Sequence, residues 1–208
     1  MEEKKKHIIK NVGKLYLKFG VRSVTMDDVA QEFGISKKTL YQYFADKADL
    51  VSQVINYYIK NPVYNLNNVG RGNAIDHYFL LRSHIINILR YFNNTIEFDL
   101  KKLYPQLYKK LHQVKRERIF GSTVANINEG ISTGFYRTDL DVELIAKLQV
   151  GRTLYTLNPD NEVFTESEVL SIDVFDKVME YHMYAICTEK GIKYFKQQLN
   201  NIKNEDKN

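Results

Sequence analysis

Hydrophobic positions recur at helical spacing along most of the chain, and nowhere do they alternate with the period of two that a half-buried strand requires. Near the N-terminus Ile8, Val12, Leu15, Tyr16 and Phe19 form one stripe, which predicts a helix over 3–19 that Gly20 closes. Met26, Val29, Ala30 and Phe33 form a second, shorter stripe. Thr25 and Asp28 are spaced as a capping box at its start, and Gly34 stands where a left-handed residue would end it. Ile35 plugs the corner, Ser36 restarts a helix as its N-cap, and Leu40 and Phe44 point inward one turn apart. A fourth helix, capped by Asp46 with Asp49, carries Leu50, Val51, Val54, Ile55 and Tyr58 and stops at Asn61-Pro62.

The stretch 61–72, NPVYNLNNVGRG, reads as a loop or connection because it is rich in Asn and Gly. A long helix is expected over 73–92, ended by Asn93-Asn94, and then an irregular piece up to Pro105. Leu107, Leu111, Val114, Val124 and Ile127 predict a helix over 105–131 that Gly130 and Gly134 terminate. Thr138 with Asp141 is spaced as a capping box for a helix reaching Asn158-Pro159. Thr165 with Glu168 is another, for a helix through Thr188 that Gly191 breaks. Ile192, Phe195, Leu199 and Ile202 predict a last amphipathic helix. The fold class is all-α, with nine or ten helices.

Short helix, tight Gly-containing turn and second short helix is the pattern of a helix-turn-helix, whose second helix enters the DNA major groove. Within TMDDVAQEFGISKKTLYQYFADK, residues 25–47, the buried positions leave Lys37, Lys38, Thr39, Tyr41 and Gln42 on the outward surface. Their chemistry suits that groove: a lysine can donate to guanine, a glutamine can pair with adenine, and a threonine methyl can pack on thymine. Thr25, Tyr43 and Lys47 flank them and are candidates for phosphate contacts, which position without reading sequence. The alternative is an ordinary helical hairpin with a solvated basic face.

Charge supports the first reading. The chain carries a net +5, and residues 1–60 hold 11 Lys and Arg against 7 Asp and Glu, whereas the rest holds 19 against 18. The basic excess therefore sits where phosphate neutralisation needs it. An apolar share of 44% and only three prolines suit a packed helical core, and the single Cys187 excludes an internal disulfide framework. The start MEEKKKH is not a signal peptide, and no run approaches the ~18 apolar residues of a membrane span, so a cytoplasmic location is expected. The five histidines are scattered, and neither HExxH, GxSxG, GxGxxG nor a phosphate loop occurs. No catalytic residue, metal or cofactor is expected, and the chain is not read as an enzyme.

Residues 8–55 resemble the DNA-binding domain of the tetracycline-repressor (TetR) family. Phe19-Gly20, Thr25, Val29-Ala30, Gly34-Ile35-Ser36, Thr39-Leu40-Tyr41, Tyr43-Phe44, Lys47 and Leu50 carry the resemblance in one register. Phe33 and Lys38 depart from it, where a small or short residue is usual, and this bears on base preference. GISTGFYRTDLDVELIAKL, residues 130–148, and the closing helix pair are similar to the family's C-terminal domain.

The resemblance implies a helix-turn-helix domain over 1–60, an effector-binding and dimerisation domain over 61–208, and a homodimeric regulator, a repressor, released from operator DNA by a small molecule. Helices near 140–157 and 166–188 would pair with their twofold mates through Leu144, Leu148, Phe175, Val178, Met179 and Ile186, unless these are intrachain core. A pocket among the middle helices would draw on Tyr78, Tyr91 and Phe120, although core packing explains such aromatics equally. Arg82, Arg118 and Arg152 each lie in register with an apolar stripe. A guanidinium so placed must find an anion or snorkel to water, so each either pairs with a residue such as Glu97, Asp99 or Glu180 or anchors an acidic effector. Expected partners are double-stranded DNA, a second copy of the chain and an unknown small molecule, with no membrane. A DNA-binding dimer without effector, and an interaction module keeping the helix-turn-helix as scaffold, are the rival readings.

Overall fold

A computed structural model describes residues 2–61, 72–89 and 95–205. The predicted loop over 61–72, apart from its two end residues, and Tyr91 with the expected helix end at Asn93-Asn94 lie outside them. Regular structure among the described residues is helical, apart from one antiparallel bridge between Tyr136 and Cys187. The chain divides into two compact units, Met1–Val63 with Ile88–Lys115 and Tyr64–Asn87 with Arg116–Asn208.

The first unit holds α1 (Glu2–Phe19), α2 (Met26–Glu32), α3 (Lys37–Tyr41), α4 (Lys47–Lys60), α6 (Thr95–Leu103) and the start of α7 (Pro105–Ser132). Its core is one cluster in which Ile8, Val12 and Tyr16 of α1 meet Val29 of α2, Leu40 of α3, and Leu50, Val51 and Val54 of α4. The stripes read from the sequence therefore converge. The segment before Pro105, expected to be irregular, is instead the helix α6. Ile96 and Leu100 lie one turn apart, Leu100 is fully buried in the same cluster, and α6 packs on α1. Burial supplied what the local sequence did not announce.

The second unit holds α5 (Asp76–Leu89), the rest of α7, α8 (Val142–Gly151), a π-helical turn (Arg152–Thr156), a 3-10 turn (Pro159–Asn161), α9 (Glu166–Val169), α10 (Ile172–Ile186) and α11 (Glu189–Glu205). Its core gathers Ile75, Tyr78, Tyr136, Met183, Ile186 and Phe195. Four sequence expectations change here. Gly130 lies inside α7 instead of ending it: a Cβ there would meet the Tyr136 ring at 2.0 Å, so the glycine makes room for a fully buried tyrosine. Gly134, at φ +71°, follows the helix end. Asp141, not Thr138, caps α8, accepting from the Leu144 amide at 3.0 Å. The box of Thr165 and Glu168 forms, but it opens only the four-residue α9. Ser171 then caps a separate α10, which stops at Ile186 so that Cys187 can pair with Tyr136. Gly191 consequently falls inside α11.

Candidate nucleic-acid interface and second-unit clusters

The corner between α2 and α3 is built by local chemistry. The Thr25 amide donates to Asp28 Oδ2 at 2.8 Å and the Asp28 amide donates back to Thr25 Oγ1 at 3.2 Å, so both orphan amides of the helix start are used. The Thr25 amide, and then the Thr25 hydroxyl at 2.7 Å, donate to the Asp28 carboxyl and hold it below its usual range. Gly34 takes φ +58°, a backbone state closed to most side chains, and Ser36 then caps α3 by accepting from the Thr39 amide at 3.0 Å. Leu40 and Phe44 are buried at 0% and 1% exposure, which fixes the rotation of α3 about its axis.

With that rotation set, Lys37, Lys38, Tyr41 and Gln42 are exposed and Thr39 and Tyr43 half-buried, on one short basic surface. Lys37 reaches Asp27 at 2.5 Å, with both side chains about 60% exposed, so this ion pair contributes little to stability and yields to a phosphate at small cost.

Lys47 is placed less simply than a free phosphate clamp. Its Nζ donates to the Arg22 carbonyl at 2.9 Å. Burial lowers its pKa, and the negative charges of Asp99 and Asp28 oppose that. Asp99 of α6 is itself 6% exposed and accepts from the Arg22 amide at 2.7 Å. The turn between α1 and α2 is thus gripped on both backbone atoms of Arg22, by an acid from α6 and a lysine from α4. Sequence reasoning had Asp99 as a partner for an arginine side chain; it serves a backbone amide and a lysine instead.

In the second unit the predicted pocket residues separate. Tyr78 is core: its hydroxyl donates to Asp176 Oδ1 at 2.8 Å, and its ring stacks on Phe175 at 6.0 Å. Burial, then the Asp176 charge, pushes the Tyr78 phenol far up. Arg82 Nε donates to both Asp176 oxygens at 2.8 and 2.9 Å, so Asp176 is an acid that answers it. Phe120 is half-buried and Arg118 exposed. Arg152 is half-buried at the start of the π-turn, with Nη2 donating to Gln149 Oε1 and lying 3.3 Å from Met179 Sδ. Tyr91 is not among the described residues.

The predicted pairing face changes membership. Met179 and Ile186 lie in the chain's own core at 7% and 3% exposure, and Phe175 and Val178 are half-buried, whereas Leu144 and Leu148 of α8 are 51% and 63% exposed. Tyr155 in the π-turn, and Tyr181 (81% exposed) and Tyr184 on α10, are large exposed apolar residues that sequence reasoning missed. Tyr181 lies three residues beyond Val178, which puts the two on neighbouring positions of one helical face.

Among the described residues no group of three or more His, Cys, Asp or Glu is arranged to hold a metal ion, and no helix is long and apolar enough to cross a membrane. A helix-turn-helix that buries Leu40 and leaves a short basic surface exposed is the arrangement of a DNA-binding head.

Residues 13–54 match the model for bacterial regulatory proteins of the tetR family. The HTH-type regulator YdeS of Bacillus subtilis is 26% identical over 171 residues, 79% of this chain and 81% of YdeS. The HTH-type repressor KstR2 of Mycobacterium tuberculosis is 22% identical over 147 residues, 63% of this chain and 68% of KstR2. Two further curated regulators, 36% and 35% identical, match over 69 residues only, so the match spans 24% of their length. A transcriptional regulator from Cytophaga hutchinsonii superposes with a TM-score of 0.66 at 22% identity, covering 89% of this chain and 99% of that one, which shows a shared fold. Residues 13–54 therefore carry a DNA-binding domain of the tetR family of bacterial regulatory proteins.

Proposed function

We propose that the chain is a homodimeric repressor that reads operator DNA with α3 and lets go when a small molecule binds its second unit. The observation that carries the DNA-binding half is the rotation of α3, with Leu40 buried while Lys37, Lys38, Tyr41 and Gln42 face outward. Lys37, Lys38, Thr39, Tyr41 and Gln42 then meet the major groove, and Thr25, Tyr43 and Lys47 hold phosphates, Lys47 by exchanging the Arg22 carbonyl for a phosphate oxygen. A five-residue helix makes few base contacts, so useful affinity needs two copies at half-sites one DNA turn apart. Leu144, Leu148, Tyr155, Tyr181 and Tyr184 supply an apolar face for the second copy. The name of KstR2 as a repressor supports the sign of regulation. Release needs a coupling of only ~1–3 kcal/mol between effector and DNA. Bacterial operators lie in the cytoplasm, where such a protein would work.

The test is fluorescence anisotropy with duplex DNA from upstream of the chain's own gene, titrated with salt, beside sedimentation of the free protein. A dimer that binds with a steep salt dependence is expected. Material that stays monomeric and indifferent to duplex at low ionic strength overturns the reading.

A further inference from the structure

The three arginines that lie on apolar stripes are answered in three different ways. Asp176 answers Arg82 through both carboxylate oxygens, and Arg118 is exposed. Arg152 is half-buried among groups that carry no charge. Its Nη2 meets the Gln149 amide oxygen and the Met179 sulfur, and among the described residues no carboxylate lies within ion-pair distance of it. An amide and a thioether do not neutralise a guanidinium taken out of water, so the site as it stands is incomplete.

Two further features gather there. The helix winds into a π-turn at Arg152, and such turns are costly and recur at functional sites. Burial, and then the neighbouring Arg152 charge, pulls the His182 imidazole down to about 4, so a neutral ring stands by the guanidinium at pH 7. Burial also lowers Arg152 to about 10, which leaves it charged. Met179 belongs to the cluster that contains Tyr78 and Phe175, so the inner side of the group is apolar.

We propose that Arg152 anchors an anion subsite that takes the carboxylate of a small organic acid, with Gln149 and His182 as neutral polar neighbours. The proposal rests on the effector reading and names the chemical class of that effector. A guanidinium fork matches the two oxygens of a carboxylate, and the apolar side toward Met179 favours an acid with a hydrocarbon body over an inorganic ion.

The experiment uses the full chain as wild type and as two variants, Arg152→Met and Arg152→Lys. Without ligand, Arg152→Met removes an unanswered charge while keeping the stem, so its thermal midpoint should rise; a fall would mark Arg152 as a structural residue and overturn the proposal. Octanoate and benzoate, each beside its amide, and inorganic phosphate are then added in excess. The acids should raise the wild-type midpoint, the amides should bind about tenfold more weakly or worse, Arg152→Met should lose the response and Arg152→Lys keep part of it. Equal binding of acid and amide, equal effect of phosphate, or no response to either acid overturns the subsite. Release of operator DNA by an amide as readily as by its acid leaves the effector reading standing and removes the anion. If Arg152→Met falls apart into monomers while wild type ignores both acids, the missing carboxylate belongs to a second copy, and the proposal fails.

Discussion

Asp99 makes the sharpest claim about how the DNA-binding head is held. It is 6% exposed, accepts from the Arg22 amide at 2.7 Å, and faces the lysine that grips the Arg22 carbonyl at 2.9 Å. A hydrogen bond to a charged group contributes ~1.5–3 kcal/mol net and a neutral one ~0.5–1.5 kcal/mol, so Asp99→Asn, which keeps the shape and an acceptor, should cost about 1 kcal/mol. Asp99→Ala removes the acceptor, strands the Arg22 amide and takes a compensating charge from the partly buried Lys47, at ~1–3 kcal/mol. For a cooperative unit of this size, each kcal/mol moves the midpoint by about 4–8 °C. Calorimetry of the full chain reads the head's transition, and hydrogen exchange at the Arg22 amide reads the bond itself. That amide should exchange faster in both variants. In a double-mutant cycle with Lys47→Met the two residues should couple, because they hold one peptide from opposite sides. An Asp99→Ala protein within about 0.5 kcal/mol of wild type, the range of an ordinary surface change, would refute the grip.

Other outcomes follow from the same geometry. Lys47→Ala should weaken binding to all duplexes and reduce the salt slope by about one unit, whereas Gln42→Ala should relax preference at one base position; a uniform loss for Gln42→Ala in anisotropy titrations would contradict that division. Asp176→Ala removes the acid that the half-buried Arg82 and the Tyr78 hydroxyl share and should cost ~1–3 kcal/mol in urea unfolding, while the double change Arg82→Met with Asp176→Leu should be milder than the single one. Gly130→Ala should destabilise by about 1–3 kcal/mol despite alanine's better helix propensity, because its Cβ would overlap the Tyr136 ring, and Tyr136→Leu should offset part of the loss. His182 is depressed in the folded chain to about 4 from 6.5, so the unfolded state binds its proton first. Its stabilising contribution is full above pH 6.5 and disappears as pH falls toward 4, by up to ~3 kcal/mol, and His182→Gln should flatten the difference in that window.

The head was legible because each of its decisions is local. A capping box spans three residues, the glycine corner one, and the inward pair Leu40 and Phe44 a single turn, so sequence distance and spatial distance coincide there. What the sequence hid was everything set by partners far along the chain. The helix Thr95–Leu103 buries Leu100 in a core otherwise assembled largely from residues before 60. Gly130 looks like a stop and is a gap for a ring six residues later; Gly191 looks like a break and sits inside a helix because the chain had already turned at Cys187.

The same distinction governs the charged groups. Helical register puts Arg82, Arg118 and Arg152 in equivalent positions, each on an apolar stripe, and register alone cannot rank them. What separates them is tertiary structure: Asp176, 94 residues from Arg82, answers one, and another lies exposed. Arg152 keeps its charge beside a neutral ring, a thioether and an amide. A buried cation is tolerated only where an anion arrives from somewhere. The residue that sequence could only place among three equals is therefore the one at which the binding of a negatively charged molecule would change the free energy of the fold most.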